Sequence, residues 1–200
     1  GFLGALTYVV LPAQAQGMSV LRDTETEEML RNYEVPLARA AGLDVNNVHV
    51  YLMGSPEINA FATQPQDIYI FSGILLWLKK PNELIGVMAH ETGHISAGHL
   101  TRTSYAIKKA TVPMLLSLVA GIAPMVAGAG EAGMAIMQVG QSMAMAQFAA
   151  FSRVQESTAD QIAAKLLLAT HQSPVGMYRT FQRFAQEEAM SAYKIDKFAV

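Results

Sequence analysis

The sequence predicts an α+β fold, mainly helical, with a small antiparallel sheet beside one buried helix, and three observations carry that prediction. Apolar residues recur at helical spacing in several long stretches. Between 48 and 71, short runs alternate apolar and polar side chains as half-buried strands do. The run Leu84-Ile85-Gly86-Val87-Met88-Ala89 is apolar nearly all round, which suits a helix covered on every side.

Taken in order, Phe2 to Leu11 is an apolar run that ends in Pro12-Ala13-Gln14-Ala15-Gln16. Small residues at 13 and 15 fit an A-x-A cleavage site, so 1–15 is expected to be a signal peptide and 16–200 the mature domain. About 185 residues suit one domain with a sizeable core. Thr24 to Ala41 is a helix opened by a box-like Thr24-Glu25-Thr26-Glu27, bent at Pro36 and ended near Gly42. Strands follow at Val48 to Met53, Ile58 to Ala62 and Ile68 to Phe71, with His49 on a strand face. A helix starts near Pro81-Asn82, with Asn82 as its cap.

From Thr111 to Ser152 the only formally charged residue is Glu131, and Met, Ala and Gly abound. Two stretches here are about long enough to cross a bilayer. Pro113, Pro124 and several glycines interrupt the first, and Gln138, Gln141, Ser142 and Gln147 stud the second. The expectation is therefore amphipathic helices lying on a membrane surface or over a cleft, with a membrane-spanning pair or an ordinary packed interface as the competing readings. A further helix carries Ala159, Ile162, Ala163, Leu166 and Leu167 on one face, and Ser173-Pro174 opens a last one with Met177, Phe181 and Phe184 inward.

The chemistry concentrates in His90-Glu91-Thr92-Gly93-His94. On a helix, His90 and His94 stack at i and i+4, so both imidazoles reach one ion while Glu91 sits beside it; this is the HExxH spacing of zinc proteases. Three fixed residues recur by chance in on the order of one in a hundred chains of this length. Burial decides for chemistry, because two histidines and a glutamate buried without a ligand would be costly.

His99 does not supply the third ligand. An HExxHxxGxxH pattern needs Gly at 97 and His at 100, where the chain has Ala97 and Leu100. On a continuous helix His99 points roughly 140° away from His94, which makes it a helix-end or supporting residue. Glu156 and Asp160, again i and i+4, offer instead a carboxylate ligand and a second carboxylate able to accept the outward ring N–H of a ligating His.

Four ordered motifs then carry a resemblance: Asn59-Ala60-Phe61-Ala62, the strand-like Asp67-Ile68-Tyr69-Ile70-Phe71-Ser72-Gly73, HETGHISAGH at 90–99, and Ser152-Arg153 ahead of Glu156 and Asp160. In these the chain resembles the HtpX/BepA-like zinc metallopeptidases, a family that includes Oma-type and CAAX-prenyl proteases, and in particular its periplasmic BepA-like members. The resemblance implies a gluzincin-like core. It implies one Zn2+ per chain held by His90, His94 and Glu156, with Glu91 as the base that activates water, and Arg153 as an organiser of the site. Asn59 and Ala60 are expected near a sheet edge that pairs with extended substrates. Arg153 and His171 are weak candidates to steady the oxyanion, and a loop position explains His171 better. BepA-like members also carry a regulatory His ahead of a helical-repeat domain; no His follows His171 here, so that element either lies beyond Val200 or is missing from this protein.

Zinc with three protein ligands keeps a position open, as catalytic rather than structural sites do. The expected function is thus a zinc metalloendopeptidase acting on unfolded or misassembled envelope proteins, in the periplasm of a Gram-negative bacterium and associated with its membrane. Outer-membrane assembly machinery is an implied partner. An integral inner-membrane protease of the HtpX type, and a chaperone-like assembly factor with an autoinhibited zinc site, are the alternatives. With no cysteines, a thiolate site and disulfides are both excluded. A formal charge of −2 without a basic stretch argues against a nucleic-acid partner.

Overall fold

Elements form where side-chain periodicity asks for them in the computed structural model of the protein, which describes residues 19–198. The expected signal peptide at 1–15 lies outside the described residues. In order the elements are β1 (Ser19–Val20), α1 (Thr24–Ala40), β2 (His49–Gly54), β3 (Ala60–Thr63), β4 (Asp67–Phe71), α2 (Ser72–Trp77), α3 (Pro81–Ser96), α4 (His99–Val126), α5 (Gly130–Ala169) and α6 (Val175–Phe198). The protein is mainly helical with one small sheet, as expected. The chain divides into two units, 1–97 with 156–200, and 98–155.

In the first unit the sheet is mixed rather than antiparallel, which corrects the expectation. Strand order is β1-β2-β4-β3, with β4 antiparallel to β3 but parallel to β2. The β3–β4 hairpin docks with β4 inward, and β4 carries Ile68 and Ile70, both fully buried. A period of two is the same in parallel and antiparallel pairs, so the pattern alone could not fix direction. The two-residue β1 was not anticipated; it pairs with β2 through Ser19 and Val20.

Two helix starts differ from expectation. Asp23, not Thr24, caps α1, and Thr26 Oγ1 lies 2.5 Å from Asp23 Oδ2. The cap residue of α3 is Lys80, with Pro81 opening the helix in place of an Asn82 cap. Glu83 instead reaches back to accept the Lys79 amide at 2.8 Å, satisfying a donor near the helix start. The core gathers Leu30, Leu37, Ile68, Ile70, Met88 and Leu167.

Helix α6 is clasped to α2. The Arg183 guanidinium sits 3.6 Å over the Trp77 ring, Phe184 stacks on that ring at 4.7 Å, and the Trp77 indole N–H donates to Glu187. Beneath, α3 approaches α6 so closely that a Cβ on Gly86 would stand 2.7 Å from Met177 Cα. Gly86→Ala is therefore expected to force the helices apart and cost about 1–3 kcal/mol. For a domain of this size, thermal unfolding followed by circular dichroism should then show a midpoint lowered by several degrees.

In the second unit, α4 and the first part of α5 form a hairpin through Gly128, whose φ is +86°. The helices meet backbone to backbone, since a Cβ on Gly121 would stand 2.7 Å from the Gly133 carbonyl. Two expectations are corrected here. Pro113 and Pro124 lie inside an unbroken α4 rather than interrupting it. The second apolar stretch and the further helix expected around Ala159 to Leu167 are one 40-residue helix, which carries Glu156. Helix α4 is long and apolar enough to cross a membrane by length and composition. Its side chains stay largely uncovered, Leu116 at 65% and Val119 at 68% exposure.

Candidate metal centre

The first unit brings three of the singled-out residues to one point. From α3, His90 and His94 project side by side, their Nε2 atoms 3.1 Å apart. From α5, Glu156 Oε2 lies 3.3 Å from His90 Nε2 and 3.6 Å from His94 Nε2. All three residues are buried, and the three could hold a metal ion.

The triangle matches the ion it was expected to hold. Zinc–nitrogen and zinc–oxygen bonds of about 2.0–2.1 Å at tetrahedral angles put neighbouring donors about 3.3–3.4 Å apart. Sides of 3.1, 3.3 and 3.6 Å bracket that value. The donor set of two imidazoles and a carboxylate suits the same ion.

Close approach of α5 to α3 makes this possible. Gly93 lies between the two histidines' turns, and a Cβ there would stand 2.9 Å from the Ala159 carbonyl. One turn after Glu156, Asp160 Oδ1 stands 3.0 Å from His90 Nδ1, the outward nitrogen. This fixes which face of the imidazole turns to the triangle. Phe181 of α6 packs its ring edge-to-face with His90 at 5.2 Å. Phe181 was legible as a core residue, but no pattern links it to His90.

Charges in the cluster balance one another. Burial pulls the His90 imidazole down, but the Asp160 and Glu156 carboxylates outweigh it and raise its pKa to about 10. For Glu156, burial acts upward and is outweighed by bonding to His90 and His94, which hold it down at about 2. Burial pushes the Glu91 carboxyl above the usual carboxylate range. A Glu91 oxygen accepts a hydrogen bond from the backbone amide of Ala62, tying it to β3.

Behind Glu91 lies a residue that sequence reasoning missed. Glu34 of α1 is buried, and its Oε1 is 2.8 Å from the Thr92 hydroxyl, which is also 2.7 Å from the Met88 carbonyl. One hydroxyl proton cannot serve both acceptors. The Thr92 hydroxyl is shared between the two, donating to the Glu34 carboxylate or to the Met88 carbonyl. Burial, opposed by the Thr92 bond and reinforced by Glu91, raises the Glu34 pKa to about 8.

A carboxyl whose folded pKa is raised holds its proton more tightly in the folded state, so its contribution turns against folding as pH rises from the ordinary carboxylate range to about 8. Glu34→Gln should remove that slope. Melting midpoints of the two proteins between pH 5 and 8.5 should diverge in favour of the variant; parallel curves would mean that Glu34 is ionised in the fold.

The remaining expected site residues are spread more widely. Asn59 precedes β3, and Ala60 begins it, at the end of the sheet order. The Phe71 amide donates to the Asn59 carbonyl at 3.1 Å, so Asn59–Phe71 is a bonded pair. Alternation then makes Ala60–Ile70 and Ala62–Ile68 the non-bonded pairs, whose N–H and C=O turn away from β4. Ala60, rather than Asn59, thus turns its backbone N–H and C=O away from β4, and at 1% exposure it is covered there. His99 and Arg153 belong to the second unit. Gly98, at φ +66°, ends the α3 geometry, so His99 starts a new helix; its carbonyl accepts from Thr103 at 2.9 Å and Gln155 at 3.3 Å. Arg153 is exposed on α5, and His171 is exposed in the loop before α6 at φ +58°.

The pattern of Peptidase family M48 matches residues 24–193, most of the chain and every residue of this centre. The chain belongs to peptidase family M48. Among relatives of this M48 protein, Metalloprotease LoiP of Escherichia coli (strain K12) is 30% identical over 156 residues, covering 76% of this chain and 58% of the relative. The Beta-barrel assembly-enhancing protease of Yersinia pestis is 26% identical over 165 residues, 80% of this chain and 34% of the relative. Protease HtpX of Shewanella denitrificans is 35% identical over 80 residues, 38% of this chain and 27% of the relative. The M48 chain therefore spans about a third to three-fifths of the first two relatives' length.

Proposed function

We propose that this M48 chain is the catalytic domain of a zinc-dependent metalloendopeptidase that hydrolyses unfolded or misassembled envelope proteins. The observation that carries this reading is the triangle of His90, His94 and Glu156 donor atoms with Glu91 buried beside it.

In this reading His90, His94 and Glu156 hold the ion, and Asp160 keeps the His90 ring turned toward it. Zinc bound there would supply Lewis-acid polarisation of a carbonyl and lower the pKa of water to about 7. Glu91, with its pKa raised by burial, takes a proton from the attacking water and delivers it to the leaving amine. The Ala62 amide holds the Glu91 carboxylate in place for both transfers. An extended substrate would pair with the Ala60 N–H and C=O once that buried edge is uncovered, which gives main-chain recognition with little dependence on sequence.

The name of the Yersinia pestis relative, a beta-barrel assembly-enhancing protease, supports a setting in β-barrel assembly, and this reading places the protein in the periplasm with assembly machinery as partner. Helix α4, with 28 residues and about 42 Å long, favours a second reading as an integral membrane protease. Alkaline carbonate separates the two readings: extraction of the protein from membranes supports surface association, and retention supports spanning. The proteolytic reading is tested by metal content and casein cleavage. Stoichiometric zinc with chelator-sensitive cleavage is expected; zinc without any cleavage would favour the chaperone-like alternative.

A further inference from the structure

The His90 imidazole is held at its nitrogens by polar groups and across its plane by rings. Asp160 Oδ1 stands 3.0 Å from Nδ1, but the Asp160 side chain is 37% exposed, so water competes for that bond. Two rings cross the imidazole nearly at right angles, His94 at 4.7 Å and 70° and Phe181 at 5.2 Å and 75°. Both separations fall in the range of about 4.5–7 Å where edge-to-face contact is favourable. His94 shares α3 with His90. Phe181 comes from α6 and gives the ring a reference outside its own helix.

The seating of α6 on α3 fixes where Phe181 stands. A Cβ on Gly86 would lie 2.7 Å from Met177 Cα, and one on Gly176 would collide with the Asn82 carbonyl, so the two backbones meet in the turns before Phe181. Thr180, fully buried, donates to the Gly176 carbonyl at 3.0 Å. Beyond Phe181, Arg183 and Phe184 both lie against the Trp77 ring. Met177, Phe181 and Phe184 recur at i, i+4 and i+7, so they share one face of α6.

We infer that Phe181 is a positioning residue of the metal centre, whose ring keeps the His90 imidazole in the plane that aims Nε2 at His94 and Glu156. The inference rests on the proposed zinc reading. The torsion that swings an imidazole about its Cβ–Cγ bond is broad, and one bond to a partly solvated carboxylate restrains it weakly. Such a swing carries Nε2 away from the other donors, which stand only 3.1 and 3.3 Å from it. Edge-to-face packing opposes the swing because it favours one angle between the planes. An aliphatic side chain fills the same space and prefers no angle. With Phe181 in place the site is ordered before the ion arrives, and binding does not have to order the ring.

The test compares Phe181→Leu, Phe181→Tyr and Phe184→Leu with the wild type, by zinc competition with a dye at fixed pH and by thermal melting of the metal-free proteins. Phe181→Leu should weaken zinc binding about 3- to 10-fold, the worth of an edge-to-face pair, and Phe181→Tyr should restore it. Phe184→Leu, which loses a ring against Trp77 but none against His90, should lower the melting midpoint and leave zinc affinity within about twofold. If leucine at 181 prevents folding, Phe181→Met fills the space with a flexible chain and takes its place. A loss of affinity in Phe181→Leu no larger than in Phe184→Leu would make Phe181 a packing residue only. Orientation is read without metal from the His90 Nδ1–H resonance in protein carrying 15N-labelled histidine. Protected from exchange by Asp160 in the wild type, that proton should exchange faster in Phe181→Leu and not in Phe184→Leu. A wild type that takes up no zinc overturns the metal reading, and the Nδ1–H comparison then decides alone: a change confined to Phe181→Leu keeps the positioning role, and equal protection in every variant overturns it.

Discussion

Glu91→Gln is expected to abolish casein cleavage while the protein keeps its fold and its metal. Glutamine matches the size of glutamate but cannot take up a proton, so the exchange removes one function and leaves the shape. General acid–base catalysis by a positioned group supplies about 10²–10⁴-fold. The same carboxylate would serve both proton transfers here, which places the loss at the upper end of that range. The buried setting favours a fold kept intact: Glu91 is 3% exposed, its charge is disfavoured by burial, and an amide is easier to house there. The measurement is casein turnover with metal content by atomic emission on the same samples. Turnover within tenfold of the wild type would assign the base elsewhere, and loss of metal would make Glu91 a ligand.

Removal of the α5 carboxylate should act on the metal itself. Without Glu156, His90 and His94 remain as two donors from a single helix, too few for a site that needs three protein ligands. Loss of an outer supporting partner costs metalloproteins about 10–100-fold in affinity, and Glu156→Ala should exceed that. The same centre predicts how uptake depends on pH. With its pKa raised to about 10, His90 carries a proton at neutral pH in the metal-free protein, and a ligating imidazole must be neutral. Binding should therefore release about one proton, and apparent affinity should rise about tenfold per pH unit between 6 and 9. In the variant that slope should weaken, because Glu156 is one of the three carboxylates, with Asp160 and Glu91, that hold the proton on His90. Competition with a zinc-responsive dye across that range reads both effects. Unchanged affinity in Glu156→Ala would remove it from the proposed ligand set.

Local periodicity made the helices and most strand positions legible. His90, Glu91 and His94 lie within five residues on one helix, so their spacing alone sets their common face. Glu156 and Asp160 repeat the same spacing on α5, which is why the carboxylate pair stood out although it lies 62 residues further on. Strand direction did not show, because alternation is blind to it, and the mixed sheet had to come from how β4 seats between its neighbours. The length of α5 was hidden by its change of composition, from apolar to charged near Arg153, which looked like a boundary and is only a change of surroundings.

By itself, then, the sequence determined the chemistry this protein can carry: which donors are available, which of them share a helical face, and that no thiolate competes. Only the tertiary structure decided how those donors meet. The sides of the His90–His94–Glu156 triangle depend on Gly93 letting α5 approach α3, the seat of Glu91 depends on an Ala62 amide, and Thr92 beside it bonds to Glu34 of α1, all from elements far apart in the chain. Contacts of that kind follow from packing, in which a residue's partner is fixed by the shape of the whole unit and not by its neighbours in sequence.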